Sequence, residues 1–211
     1  MSSADAGTGR CIQLARIAPH SVAGTELTAA RLEEALLLHP PCKHGTPPAS
    51  ARVLTSRSGP DLWLVVRGHR DLQDTVDSLL ATAAVTDLVD WRWSGNEAPG
   101  IAGPAAGASP AVAAVAVRHL RDPESASTVL ALLQRTGAEW KQTFPGFVAA
   151  TPFLGADGVT LVNYPRWASV ASYDAWMAEP RMRSGQKEVG EHEIAAPEYH
   201  VLDVHAYRLL A

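Results

Sequence analysis

The sequence predicts an α+β protein made of two tandem units, each with the element order β-α-β-β-α-β. The first observation is a segment rich in proline, glycine, alanine and serine, residues 97–110, which has no helical or strand periodicity and divides the 211-residue chain near its middle. The second is that both halves show the same succession of apolar patterns. We therefore expect domains over residues 10–96 and 111–211, joined by a linker over 97–110.

The second half carries the clearer pattern. A run rich in β-forming residues precedes a stretch with apolar residues at helical spacing, which predicts a strand and then a helix. Residues 155–158, Gly-Ala-Asp-Gly, are typical of a hairpin turn, so the apolar runs on both sides of them are predicted to pair. The predicted elements in order are strand 111–120, helix 124–143, strand 147–153, strand 159–164, helix 169–182 and strand 199–210. This is the order of a ferredoxin-like unit.

The first half repeats that order more weakly. Its predicted elements are strand 11–17, helix 26–38, strand 51–56, strand 62–66, helix 72–84 and strand 88–93. A Ser-Gly-Pro-Asp turn at 58–61 separates the middle strands, and superposing the two hairpins sets residues 63–66 against 160–163. The sequence therefore predicts a tandem duplication, in which two four-stranded sheets can pack face to face within one chain.

Composition excludes several classes of function. The formal charge is −4, and the charged residues, 19% of the chain, are mixed in sign along it. A nucleic-acid platform or a polybasic membrane binder is therefore not expected. The first ten residues lack the pattern of a secretory signal, and the longest apolar run, 111–117, is far shorter than the ~20 residues of a membrane span. These features predict a cytoplasmic protein.

Standard cofactor motifs are absent from the sequence. It has no P-loop, no G-x-S-x-G elbow and no H-E-x-x-H, and its Gly7-Thr8-Gly9 precedes a predicted strand instead of following one. His39, Cys42 and His44 lie close together, but their spacing matches no closed zinc site and a fourth ligand is missing. We interpret them as a helix end followed by a Pro-Pro loop, and predict no metal.

The strongest candidate site lies around the second hairpin strand. Alternation along the strand puts Asn163 on the same face as Leu161, so a polar amide points into an apolar layer. Trp167 and Tyr173 each add a large apolar body with one hydrogen-bonding tip, and together the three side chains can line a pocket for an aromatic ligand. The alternative interpretation is that both aromatic residues belong to the core and that Asn163 is a turn residue.

Residues 144–180 resemble the antibiotic biosynthesis monooxygenase family. The resemblance rests on the F-P-G-F sequence at 144–147, on Asn163 and Trp167 in an N-Y-x-x-W pattern, and on the helix residue Tyr173. Members of that family are ferredoxin-like units paired into a dimeric α/β barrel. The resemblance therefore implies that the tandem units form a pseudo-dimer of this kind.

Only the second half carries the family pattern. The likeness covers residues 111–211, whereas the first half has Val66 and Arg70 where Asn163 and Trp167 stand. The resemblance thus implies a degenerate first unit and one active site per chain, in the second unit. Haem-binding relatives need a histidine on the second helix, but no histidine lies between Trp167 and Gly190.

The resemblance also implies a function. The family members most similar to this sequence are anthrone oxygenases, and tandem members resemble the ring-opening oxygenases of jadomycin-, gilvocarcin- and kinamycin-type angucycline pathways. We therefore expect an oxygenase that uses O2 on a polycyclic phenol or hydroquinone, most specifically for oxidative C–C cleavage (B-ring opening) of an angucycline. The alternatives are an anthrone-type monooxygenase that gives a quinone and a non-catalytic binding module for a hydrophobic small molecule.

The expected chemistry needs no tightly bound cofactor. A deprotonated, electron-rich phenol can itself give an electron to O2, and reduced flavin (FADH2 or FMNH2) from a reductase partner is a further option. A chain with two fused units is expected to be a monomeric pseudo-dimer or a homodimer.

Each candidate residue has an expected role. Asn163 and Trp167 stabilise the phenolate and the developing peroxide, and Tyr173 holds a substrate oxygen. The general base is expected to be a histidine on the first or last strand of the second half, His119, His200 or His205, because the histidine pKa of ~6.5 suits proton removal near neutrality. Each of them can instead be a core or edge residue. The residues expected to contact the substrate are Phe147, Leu161, Trp176, Arg181 and Arg183.

Overall fold

A computed structural model describes residues 10–38, 49–69 and 72–210 of the chain. Contacts within the chain divide it into two units. Unit 1 combines the residues up to Asn96 with those from Asp203 onward, and unit 2 is Glu97–Leu202. Both units are α+β, so the predicted class is confirmed. None of the helices in these residues has both the length and the apolarity that a membrane span requires.

Unit 1 contains a helix-covered antiparallel sheet. Its elements are β1 (Cys11–Ile17), α1 (Val22–Leu38), β2 (Ala49–Ser56), β3 (Leu62–Gly68), α2 (Leu72–Thr82), a 3-10 turn (Thr86–Leu88) and β4 (Val89–Glu97). The strand order is β4-β1-β3-β2, with antiparallel β1–β3, β1–β4 and β2–β3 pairs. Apolar side chains of α1 and α2 pack with alternate residues of the sheet into one buried core.

Unit 2 repeats this arrangement with additions. Its elements are β5 (Ile101–Ala102), β6 (Val112–His119), α3 (Pro123–Glu139), a 3-10 turn (Lys141–Thr143), β7 (Phe147–Gly155), β8 (Thr160–Trp167), α4 (Val170–Ala178), α5 (Pro180–Gly190) and the first residues of β9 (Glu198–Leu210). The strand order is β9-β6-β8-β7-β5, and β8 lies antiparallel between β6 and β7.

Local sequence signals explain where two of these elements begin. Helix α3 starts after Asp122, whose carboxylate accepts a 2.7 Å hydrogen bond from the Ser125 N–H, and Pro123 occupies the first helical position. The β7–β8 hairpin turns at Gly158, which has φ of +72°. The Asp157 carboxylate accepts the backbone N–H of Thr160 at 2.9 Å and so holds the turn.

The structure differs from the sequence prediction at three places. Within the expected linker, Ile101 is buried and pairs with Ala150 of β7, because an apolar side chain over the sheet is more stable there than in solvent. The single helix predicted over 169–182 is two helices, since Pro180 has no N–H with which to continue α4. The part of the closing strand from Asp203 onward belongs to unit 1, whereas the prediction placed it in the second domain.

Candidate active site

A single cavity in unit 2 combines most of the features expected of a binding site. It occupies about 840 Å³ including its open mouth. Its floor is formed by residues of β6, β7, β8 and β9, and its walls come from α3, the following 3-10 turn, α4 and α5. All of its lining residues belong to unit 2.

Aromatic rings form one wall of the cavity. Trp140 and Trp176 both line it, with their ring centroids 4.9 Å apart. Behind them, Phe147 stacks on Trp176 at 4.6 Å and Trp167 meets it edge-on at 5.7 Å. Trp176 is held by rings on several sides and is only 4% exposed, so the wall is rigid, and its two lining rings are tilted by 36° to one another. Such a wall suits an aromatic ligand.

Asn163 supplies a polar group on the sheet floor. It lies on β8 between Ala116 of β6 and Pro152 of β7, and its half-buried side chain lines the cavity. No described residue forms a hydrogen bond with its amide. A polar group in this position stays available to a ligand, and leaving it unpaired in a dry site costs on the order of 1–3 kcal/mol.

Lys141 is a lining residue that sequence reasoning did not identify. It begins the 3-10 turn after α3, and its Nζ lies 5.9 Å from the ring centroid of Trp140. Burial and, to a smaller extent, the positive charge of Arg118 lower the pKa of Lys141, Glu139 partly opposes them, and the net result is a pKa of about 8. The sequence signal was slight: a lysine directly after a tryptophan at a helix end does not show which way its side chain points.

The other cations of the cavity wall are paired. Arg118 makes a 2.5 Å ion pair with Glu193, both side chains being 6% exposed, and donates a 2.9 Å hydrogen bond to Gln186. The Arg181 guanidinium lies 4.7 Å over the ring of Trp140 and pairs with Glu179 at 2.8 Å. Their charges are therefore largely balanced by neighbouring carboxylates.

Of the residues expected in the site, Asn163, Trp176 and Arg181 line the cavity. Phe147 and Leu161 are fully buried, and Arg183 is exposed and does not line the cavity.

Trp167 and Tyr173 lie behind the aromatic wall. Trp167 is fully buried within a cluster that includes Phe147 and Trp176, and Tyr173 meets its ring edge-on at 5.0 Å. The Trp167 indole N–H has no hydrogen-bond partner among the described residues. Neither residue lines the cavity, so both support it through Trp176 instead of facing it.

Two of the histidines proposed as bases lie elsewhere. His205 belongs to unit 1, where its Nε2 is 3.6 Å from Oε2 of Glu33. His200 is 3.8 Å from Glu198, and alternation along β9 points it away from the face of Tyr199, which does line the cavity. His39, Cys42 and His44 lie outside the described residues. Within the part of the chain that is described, no three histidine, cysteine, aspartate or glutamate side chains cluster as metal ligands do.

Comparison with known proteins defines the class of fold. No family model matches the chain. It is similar in structure to an anthrone oxidase-like protein, with a TM-score of 0.69 and 14% identity over 97% of this chain and 95% of that one. It is also similar to a ferredoxin-fold protein related to antibiotic biosynthesis monooxygenases from Listeria monocytogenes, with a TM-score of 0.56 and 12% identity over 93% and 95% of the two chains. At these identities the likeness shows the fold alone, and it confirms the predicted ferredoxin-like fold.

A sequence relative is more specific but shorter. A stretch of 39 residues is 49% identical to the tetracenomycin-F1 monooxygenase of Streptomyces glaucescens. The match covers 18% of this chain and 35% of the relative, so the chain spans about a third of the length of the curated protein that it matches.

Proposed function

We propose that this chain is an oxygenase of aromatic polyketide biosynthesis, which uses O2 to oxidise a polycyclic phenol or hydroquinone bound in the cavity of unit 2. The observation that carries the proposal is the Asn163 amide, which forms no hydrogen bond with any residue that the structure describes and lies in a cavity with an aromatic wall. The short match to a tetracenomycin-F1 monooxygenase supports the same class of substrate.

The cavity supports binding of a flat substrate in one orientation. A polycyclic ring can lie against Trp140 and Trp176, while its hydroxyl groups reach the polar floor at Asn163. The Arg181 guanidinium lies over the ring of Trp140 and provides a further donor at the cavity. Polar groups such as Asn163, Lys141 and Arg181 lie among a mostly apolar lining, and they can fix the orientation of the substrate.

The chemistry asks little of the protein. Once deprotonated, the phenol transfers one electron to O2, and recombination of the radical pair forms a carbon–oxygen bond to a ring peroxide, which takes up a proton. The Asn163 NH2 can donate a hydrogen bond to the developing oxyanion in a site from which water is largely excluded. Loss of water from the hydroperoxide gives a quinone. Alternatively, a ring carbon migrates to the proximal oxygen as the O–O bond breaks and the distal oxygen leaves as water, and hydrolysis of the enlarged ring then opens it.

The most specific form of the proposal is opening of the B ring of an angucycline. It is supported by the tandem units and by the sequence resemblance to ring-opening oxygenases. Reduced flavin from a partner reductase would keep the substrate in its hydroquinone state. These points, the cytoplasmic location and the barrel-like pseudo-dimer stay predictions.

Oxygen uptake tests the proposal directly. An anaerobically reduced angucyclinone or a tetracenomycin-type anthrone is mixed with air-saturated buffer and the protein, and O2 consumption is followed. In a second reaction under ¹⁸O2, the masses of the products are measured by mass spectrometry. We expect Asn163→Ala to lower kcat by about 10²-fold or more, as loss of one oxyanion donor does. Gln142→Ala, an exposed amide one residue after Lys141, is the matched control.

Three outcomes separate the alternatives. An opened skeleton that retains ¹⁸O supports ring cleavage, and a quinone supports anthrone-type oxidation. Binding without O2 consumption would contradict the oxygenase and leave a binding module. Normal turnover by Asn163→Ala would remove the assigned role of that residue.

A further inference from the structure

Lys141 differs from the other cations of the cavity wall. Arg118 and Arg181 each have a carboxylate within ion-pair distance, whereas no carboxylate of the described residues lies within 4.0 Å of the Lys141 ammonium. Lys141 is half-buried and has no such counter-ion, and desolvation disfavours its ammonium form. The cavity thus contains an amine that loses its proton more easily than an ordinary lysine does.

The groups around Lys141 come from every element of the wall. Arg118 on β6 repels its positive charge, and Glu139 at the end of α3 attracts it. Two charged groups of α5 lie at the cavity: Arg181, which pairs with Glu179, and Glu188, which pairs with Arg135. Strand β9 contributes Tyr199. The net result is a lysine pKa of about 8.

We propose that Lys141 is the general base of the reaction, which takes the proton from the substrate phenol and then holds the phenolate as its counter-ion. This inference rests on the proposed oxygenase function and replaces the strand histidines in that role. The substrate O–H bond breaks, an N–H bond forms on Nζ, and no electron moves in this step. The phenolate that results is the species that gives an electron to O2.

The magnitude follows from the two ionisations. A simple phenol has a pKa of ~10, so about one part in a thousand is ionised at pH 7, whereas about one-tenth of a lysine with a pKa of about 8 is neutral. Transfer of the proton from such a phenol to a lysine with a pKa of about 8 is uphill by about two pKa units, so ionisation alone populates the ion pair to about one part in a thousand, the same as the free phenolate. The gain in rate therefore comes from proton removal during the reaction and from the ammonium that stabilises the phenolate, and general base catalysis of this kind typically gives 10²–10⁴-fold.

The pH dependence of turnover tests the assignment. For the wild-type chain, kcat/KM should rise with pH through an apparent pKa of about 8. In Lys141→Met we expect a loss of about 100-fold at pH 7, and the rising limb should move to the pKa of the phenol, ~10. Added ethylamine should restore part of the activity, which a merely structural role would not allow. Lys187→Met, at an exposed lysine of α5 that does not line the cavity, should keep the wild-type profile.

An anaerobic titration separates this inference from the proposed function. Bound 2-naphthol, followed by its phenolate absorption, should ionise at lower pH with wild type than with Lys141→Met, and circular dichroism checks that the variant folds. If this shift occurs but no O2 is consumed with any hydroquinone, the oxygenase is refuted and the proton acceptor stands. If O2 is consumed and Lys141→Met changes neither the limb near pH 8 nor the naphthol ionisation, Lys141 is not the base.

Discussion

Replacing Glu193 by leucine should strongly destabilise unit 2. The carboxylate lies 2.5 Å from the Arg118 guanidinium, and both side chains are 6% exposed. The variant leaves Arg118 with only the Gln186 carbonyl, at 2.9 Å, in a site from which most water is excluded. Because a buried charge that has lost its partner costs about 3–5 kcal/mol, the free energy of unfolding should fall by that amount.

Differential scanning calorimetry and urea denaturation measure this loss. For a chain of this size, 1 kcal/mol corresponds to about 2–4 °C, so the melting temperature should fall by about 6–20 °C. The double variant Arg118→Met/Glu193→Leu should recover most of the loss, since replacing both charges with apolar groups is often neutral. Glu191→Leu, at an exposed neighbouring position, should change stability by less than about 0.5 kcal/mol.

Additive effects of the two substitutions on stability would contradict this coupling between Arg118 and Glu193. If Arg118→Met and Glu193→Leu destabilise independently, and the double variant is the least stable of the three, the two side chains are not energetically coupled. A loss below about 1 kcal/mol in Glu193→Leu alone would likewise show that the pair is hydrated in solution.

Three further predictions concern packing and ionisation around the site. Gly146→Ala should lower the melting temperature, because φ is +74° there, which costs a non-glycine residue about 1–2 kcal/mol, and the added Cβ would overlap the Ser172 side chain. Trp167→Phe should leave the dissociation constant for the polycyclic substrate within about threefold of wild type, whereas Trp176→Leu should raise it at least tenfold; calorimetric titration measures both. Burial and, to a smaller extent, the nearby Tyr173 raise the pKa of Tyr199 in the folded chain. The unfolded chain therefore loses this proton at lower pH, and the free energy of unfolding should fall as the pH rises above ~10. Denaturation measured from pH 8 to 11 should show a smaller fall in Tyr199→Phe.

Sequence patterns predicted most of the elements because their causes are local. The hairpin turn needed only Gly158 with its positive φ and the Asp157 carboxylate beside it. Helix α3 needed only a capping aspartate and a proline. The break at Pro180 also has a local cause, the missing N–H of proline, although the apolar pattern over 169–182 predicted one continuous helix. By contrast, the β5 pairing of Ile101 depends on an exposed edge of β7, which no local pattern around 97–110 reveals.

The candidate site divides in the same way. Asn163 could be placed on the cavity face because strand alternation fixes the direction of its side chain. The direction of Lys141, at the turn after α3, depends on how that helix packs on the sheet. The histidines were chosen for their ordinary pKa, but the cavity changes which residue can act as a base near neutrality, and a desolvated lysine meets that need.

The two units differ in the residue at one corresponding strand position that faces the covering helices. Val66 stands in unit 1 where Asn163 stands in unit 2, and it is fully buried in a core cluster with Leu32 and Leu80 of the covering helices. A branched apolar residue at that place is stabilised by filling the space between sheet and helices. An amide there is not stabilised by such packing, and the small residue paired with it, Ala116, leaves the space open. We interpret the Asn163–Ala116 pair as a place where unit 2 gives up core packing, and a ligand in the cavity can supply the missing contacts.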